Sequence, residues 1–313
     1  MSVFIVVFIF VIIATFLIIY DICFSGRKAY MSGNHSVPKG EQYQPYGKHI
    51  REAVDEVLSI PYELVYTTSF DGLKLAGRYY HMSDEAPLII FFHGYRCSSL
   101  RDGNGIFRHG RELGCNVLIV DQRAHGLSEG KTITFGIKER YDVLTWVNYG
   151  IERLGNDTKI LLSGLSMGAA TVLMAADVGL PDNVKGITAD CPYSSPKEIL
   201  CTVIKSIHFP VGITYQIAKW TAKILGKFDL EEASAVESIK KAKIPILIVH
   251  GEDDRFVPCE MSKACKEAGC DNVELMLVKE AGHGMSYFVD RTVYKKTILQ
   301  FLQRTLLSNN GII

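Results

Sequence analysis

Residues 2–20 carry no charged side chain, and nearly all of them are Val, Ile, Phe or Leu. A helix rises about 1.5 Å per residue, so this stretch reaches most of the way through a bilayer core of about 30 Å. A helix buried in a soluble core usually keeps a polar side, and this one has none. A cleaved signal would show a basic residue ahead of the run and small residues at its end. Here nothing basic comes before it, and it leaves through Tyr20-Asp21-Ile22-Cys23-Phe24. The pattern predicts a retained single-pass transmembrane anchor over residues 1–25. Arg27, Lys28, Lys39, Lys48 and Arg51 follow the span, which by the positive-inside rule puts the body in the cytoplasm.

Beyond the anchor the texture changes twice. Residues 26–59 read as a polar, Gly- and Pro-containing linker that ends in a short helix at 49–58, closed by Pro61. Then residues 64–67 and 73–79 flank Asp71-Gly72, a hairpin signal. From residue 88 onward, short continuous apolar runs take over at 88–92, 117–120, 160–162 and 246–249, with weaker ones at 184–189 and 273–278. Such runs suit strands buried on both faces of a parallel sheet. Helical spacing fills the intervals at 103–113, 136–154, 166–178 and 259–268, and a last helix is expected at 288–307. Alternating strands and helices predict an α/β domain over residues 60–313.

Composition narrows the function classes. Lys plus Arg and Asp plus Glu number 34 each, so there is no net field to draw in nucleic acid. No arginine-rich arm, zinc-finger spacing or aromatic RNA platform is present either. The eight cysteines, at 23, 97, 115, 191, 201, 259, 265 and 270, form no C-x-x-C pair, and several sit in or beside apolar runs, as reduced thiols do.

The chemistry centres on Gly164-Leu165-Ser166-Met167-Gly168, between the run at 160–162 and a helical stretch. At ordinary residue frequencies G-x-S-x-G arises by accident in roughly one chain in ten of this length, so the letters alone weigh little. Its place between a strand and a helix makes it a candidate nucleophile elbow. A serine on so tight a turn has a strained backbone, and neighbours without a Cβ relieve the crowding. The turn lifts the hydroxyl above the sheet edge and leaves the Met167 amide unpaired at a helix start, facing any developing negative charge. A serine needs a base and the base needs an orienting carboxylate, expected downstream in the order Ser, acid, His. The downstream histidines are His208, in an inserted segment; His250, at a strand end, where histidines are usually structural; and His283, in Glu280-Ala281-Gly282-His283-Gly284 after the last strand. His283 is the expected base. Glu252, Asp253 and Asp254 all follow the strand at 246–249 and compete as the acid.

From about residue 60 to 307 the chain resembles the α/β-hydrolase superfamily. Gly251, Asp254, Val257 and Pro258 match that family's G-x-x-D-x-x-V-P pattern, and the resemblance selects Asp254, leaving Glu252 and Asp253 as solvated loop acids. Phe92-His93-Gly94-Tyr95 is similar to the family's H-G-x turn, which implies that the Tyr95 amide joins that of Met167 in an oxyanion hole while His93 props the loop. Asp121-Gln122-Arg123-Ala124-His125-Gly126-Leu127-Ser128 resembles the family's D-x-R-G-x-G-x-S stretch, with Ala124 and His125 as departures, and implies an ion-pairing role for Asp121 and Arg123. Arg96 reads as a solvated loop cation or as a partner for an anionic substrate group.

The expectation is therefore an α/β-hydrolase fold, a mostly parallel sheet flanked by helices, with a transmembrane helix ahead of it and an apolar helical insertion at about 194–240. That insertion reads either as ordinary flanking helices or as a cap lining an acyl pocket over Ser166. The expected activity is ester hydrolysis by Ser166, His283 and Asp254 through an acyl-enzyme, with Tyr95 and Met167 as amide donors and with no metal or organic cofactor. If the insertion is a cap, lipophilic esters such as monoacylglycerols or lysolipids are the expected substrates. An aminopeptidase or amidase would use the same residues, as would an acyltransferase; a non-catalytic binding protein is the reading from a different class.

Overall fold

A computed structural model describes residues 2–28, 36–269 and 271–307. Cys270 lies outside the described residues, as does part of the 26–59 segment. Helix α1 (Ser2–Ile19) runs into a π-helical turn, Tyr20–Phe24, and a 3-10 turn (Glu41–Tyr46) leads into α2 (Gly47–Ser59). The hairpin strands β1 (Glu63–Thr68) and β2 (Lys74–Tyr80) follow, then β3 (Leu88–Phe92), α3 (Ser99–Asp102), α4 (Asn104–Glu112) and β4 (Asn116–Asp121). Helix α5 (Glu139–Leu154), β5 (Ile160–Leu165), α6 (Met167–Met174) and β6 (Val184–Asp190) continue the alternation. The insertion holds α7 (Pro196–Ser206), α8 (Val211–Thr221) with a π-turn at Ala222–Gly226, and α9 (Ala235–Ile239). The chain then forms β7 (Ile246–Gly251), α10 (Glu260–Ala268), β8 (Val273–Val278), α11 (Ser286–Val289) and α12 (Arg291–Leu302).

The eight strands make one sheet in the order β1-β2-β4-β3-β5-β6-β7-β8. β2 runs antiparallel to both β1 and β4, and every other neighbouring pair is parallel. Alternate residues of each central strand enter opposite layers. Leu88, Ile90 and Phe92 pack with α5 and α6 residues such as Trp146 and Leu173, while Ile89 and Phe91 pack with Phe107, Tyr294 and Phe301 on the other side. Both faces are covered, and that is why the strands read as unbroken apolar runs. The expected last helix is split: Asp290 ends α11, and its side chain accepts from the Val293 amide at 3.0 Å to cap α12.

Helix α1 is seated on the body rather than hung from a tether. Phe24 is fully buried between Phe135 and Phe228, edge-on to both at 5.9 and 5.5 Å. Its carbonyl accepts from the Ile133 amide at 2.7 Å, the Gly26 amide donates to Lys131 at 2.8 Å, and Tyr20 Oη lies 2.6 Å from Thr132 Oγ1. Arg96, expected in solvent or against an anion, instead donates to the carbonyls of Asp21 and Ser25 at 3.0 and 2.8 Å. The Tyr95 hydroxyl donates to the Cys23 carbonyl at 2.9 Å.

Candidate active site

The β5–α6 turn carries Ser166 at φ 56°, ψ −115°, a left-handed backbone that a side-chain-bearing residue adopts only under constraint. The glycines beside it are required sterically. A Cβ on Gly164 would lie 2.4 Å from the Gly168 carbonyl, and a Cβ on Gly168 would lie 2.0 Å from the Phe92 carbonyl oxygen. The turn is thus pressed against the end of β3, beside the turn that carries Tyr95.

A second close approach assembles the rest. A Cβ on Gly251, at the end of β7, would stand 2.2 Å from the Ala281 carbonyl oxygen, and the Asp253 amide donates to that carbonyl at 3.0 Å. The loops after β7 and β8 therefore touch, and they bring Asp254 to His283. Asp254 Oδ2 lies 2.6 Å from His283 Nδ1, and His283 Nε2 lies 2.9 Å from Ser166 Oγ. A carboxylate only accepts, so Nδ1 carries the proton and Nε2 is left to accept from the serine hydroxyl. Glu252 and Asp253 are exposed.

Asp254 is itself held in place. Its Oδ1 accepts the amides of Phe256 and Val257 at 2.9 and 2.8 Å. His250 Nε2 faces both Asp254 Oδ2, at 3.2 Å, and the Val257 carbonyl, at 2.8 Å. Both are acceptors, so Nε2 is protonated, and Nδ1, 2.6 Å from Ser262 Oγ, accepts that hydroxyl. Burial pushes the Asp254 pKa up, but the hydrogen bonds from His250, His283 and the Val257 amide outweigh it and hold the carboxyl well below its usual range.

The turn at 93–97 is braced from the loop after β4. His93 Nδ1 donates to the Gly94 carbonyl at 2.8 Å, and its Nε2 accepts the Gln122 amide at 3.1 Å. His125 Nε2 accepts the Arg96 amide at 3.0 Å. Burial lowers the pKa of both imidazoles, so both serve as neutral props. Asp121 and Arg123 are ion-paired, but not to each other: Asp121 takes Arg78 at 3.2 Å, and Arg123 takes Asp142 at 2.6 Å and Asp71 at 2.9 Å. Among the described residues neither the Tyr95 nor the Met167 amide has an acceptor, and Met167 begins α6.

These groups open on a cleft of about 390 Å³ lined by Tyr43, Tyr95, Ile106, Leu165, Phe256 and Phe288 among others, within the range of small-molecule sites. No lining residue comes from 194–240. That insertion instead buries Ile199, Leu200, Ile204, Tyr215 and Ala218 in the main core. The wall comes partly from the segment read as a linker. The Tyr43 hydroxyl donates to the His283 carbonyl at 3.1 Å, and Gln42 Oε1 accepts the His283 amide at 3.2 Å. These partners lie 240 residues or more from His283 and carry no local signature, so the pattern of the chain could not reveal them.

Cys191, Asp254 and His283 offer three donor atoms within 4.8 Å of one another. Burial pushes the Cys191 thiol up, and the other two are already bonded to each other, so the set is poorly suited to a metal ion. The seven described cysteines are free thiols.

A family model described as alpha/beta hydrolase fold matches residues 87–208. The Bacillus subtilis protein YqkD is 30% identical over 232 residues, which cover 74% of this chain and 76% of the relative. The protein bem46 of Schizosaccharomyces pombe is 26% identical over 226 residues, 68% of each chain. Among solved structures, the Pyrococcus furiosus esterase Pf2001 superposes with a TM-score of 0.63 at 25% identity, covering 80% of this chain and 95% of the esterase.

Proposed function

The chain belongs to the α/β-hydrolase superfamily, and from that premise we propose that it is a membrane-anchored serine hydrolase that cleaves carboxylic esters. The observation that carries the reading is the unbroken hydrogen-bond chain from Ser166 Oγ through His283 to Asp254, at 2.9 and 2.6 Å, at the mouth of an apolar cleft.

Ser166 Oγ attacks the ester carbonyl carbon as its proton passes to His283 Nε2. The carbonyl π electrons collect on the oxygen, where the Tyr95 and Met167 amides stabilise them; one such donor is typically worth about 2.7–4 kcal/mol. Collapse of the tetrahedral adduct expels the alcohol, which takes the Nε2 proton and leaves Ser166 acylated. Water then attacks with its proton going to Nε2, the acid departs, and Oγ regains its hydrogen. Asp254 keeps the Nδ1–H tautomer throughout and stabilises the imidazolium.

Helix α1 serves as the anchor: its apolar span covers Val3–Phe24, and the basic residues after it favour a cytoplasmic body. The aromatic and aliphatic cleft wall favours lipophilic acyl groups. Short- and long-chain p-nitrophenyl esters beside aminoacyl anilides, tested on wild type and Ser166→Ala, decide the class. Ester turnover that rises with acyl length and vanishes in the variant is expected. Faster anilide turnover would make the protein an amidase, and equal activity in the variant would remove Ser166 from the mechanism.

A further inference from the structure

The outer side of the β6–β7 insertion has no cover within the described residues. In α8 and the π-turn after it, Tyr215, Ala218 and Ala222 face the core, whereas Ile213, Ile217, Trp220 and Ile224 recur at the i, i+4, i+7, i+11 spacing of a single stripe. Ile213 is 70% exposed and Trp220 54%. The turn ahead of α8 adds the exposed Ile207 and Phe209. Scattered apolar residues are ordinary on a surface, but a contiguous row of large ones marks an interaction site.

The position of α1 says what covers this row. Helix α8 packs against α1 and against the π-turn at Tyr20–Phe24. Residues 3–13 of α1 are exposed, while Ala14, Thr15 and Phe16 are partly covered. Because Phe24, Tyr20 and the carbonyls held by Tyr95 and Arg96 fix the end of α1 to the body, α8 lies at the depth of the last turns of α1 wherever those turns lie. From residue 14 to residue 20 a helix rises about 9 Å. With α1 in a bilayer, the anchor reading on which this inference rests, α8 falls at the boundary between headgroups and acyl chains. A tryptophan on the stripe and exposed Lys205, Lys223 and Lys227 on the same insertion match the composition of elements that lie in that boundary.

We propose that the Ile213–Ile217–Trp220–Ile224 face and the turn before it form a bilayer-contact surface, so that the body rests on the membrane beside its anchor instead of swinging from it. The same seat fixes the cleft, because Tyr95 both lines it and holds the Cys23 carbonyl.

The two tryptophans make the test direct. Trp146 is buried in the core, and Trp220 is on the proposed surface. The full chain is placed in nanodiscs of phosphatidylcholine and phosphatidylserine, with or without bromine on the acyl chains. Brominated lipid should quench a large part of the wild-type emission and leave the emission of Trp220→Phe nearly unchanged. Amphipathic surfaces seat about 5–10 Å into the boundary, so bromines high on the chain should quench more than bromines near the bilayer centre. Equal emission with and without bromine, from protein that resists alkaline extraction, overturns the surface and leaves the anchor standing. Cross-linked dimers that shield Trp220 from bromine overturn it as well. Release of the protein by alkaline extraction removes the anchor and this inference together, while the reaction proposed for Ser166 is judged separately by ester turnover.

Discussion

At Asp254 two imidazoles and two backbone amides converge on one carboxylate. Its pKa is depressed below the unfolded value of about 3.9, so the stability it supplies is present above that value and is lost as pH falls through the folded one. The group therefore stays ionised through the neutral and mildly acidic range. Asp254→Asn keeps the shape but lets the wrong His283 tautomer form, and kcat for ester turnover should fall by about 10⁴ with KM little changed. Asp190 has the opposite sign: burial first of all raises it to about 6, against its hydrogen bond from Tyr294. Native stability is then lost as pH climbs from about 4 to about 6 and stays lost above. Thermal melting should show Asp190→Asn gaining on wild type between pH 4 and pH 7, by an amount on the order of 3 kcal/mol; a constant difference would contradict the assignment. Ser166 and His283 stood out in the sequence because glycines flank them in tight turns, whereas Asp254 was separated from Glu252 and Asp253 only by the resemblance to the family's G-x-x-D-x-x-V-P pattern. Gln42, Tyr43 and the bracing role of His250 were not, because each acts through a contact that leaves no spacing in the chain.

The β5–α6 elbow and the seat of α1 are the two elements on which the geometry depends most. Gly168→Ala would drive a Cβ into the Phe92 carbonyl, which is backbone and cannot rotate away. Overpacking costs typically 1–3 kcal/mol, and here the strain falls on the turn that leads to Tyr95. The variant should fold with a lowered melting temperature and lose most ester turnover; full turnover would mean that the elbow is looser than drawn. Phe24→Ala empties the space between Phe135 and Phe228 and should cost about 3–5 kcal/mol in denaturant unfolding. The strands were readable because burial on both faces makes them apolar without interruption. The swap of β3 and β4 in the sheet order was not, since a crossover is decided by packing between distant segments. Nor did the periodicity of 288–307 reveal the break at Asp290, where one capping side chain restarts the helix.

Across the whole molecule, one end of the sheet gathers loops from β3, β5, β6, β7 and β8, while one flank meets α1, so that the cleft and the end of α1 share Tyr95. The class of fold was legible from the alternation of runs and helices. The joining of span to site was not, because Phe24 and Ser25 meet Thr132 and Ile133 across more than a hundred residues. A span seated in this way predicts that the chain stays with membranes through alkaline carbonate and leaves only with detergent. The central claim, that Ser166 is acylated as its proton passes to His283, whose imidazole Asp254 orients, is tested most directly by treating the detergent-purified protein with a fluorophosphonate and locating the adduct by peptide mass. A single adduct on Ser166 in wild type, formed far more slowly in His283→Ala and absent in Ser166→Ala, is the predicted result; an adduct elsewhere, or one formed at the wild-type rate without His283, would contradict it.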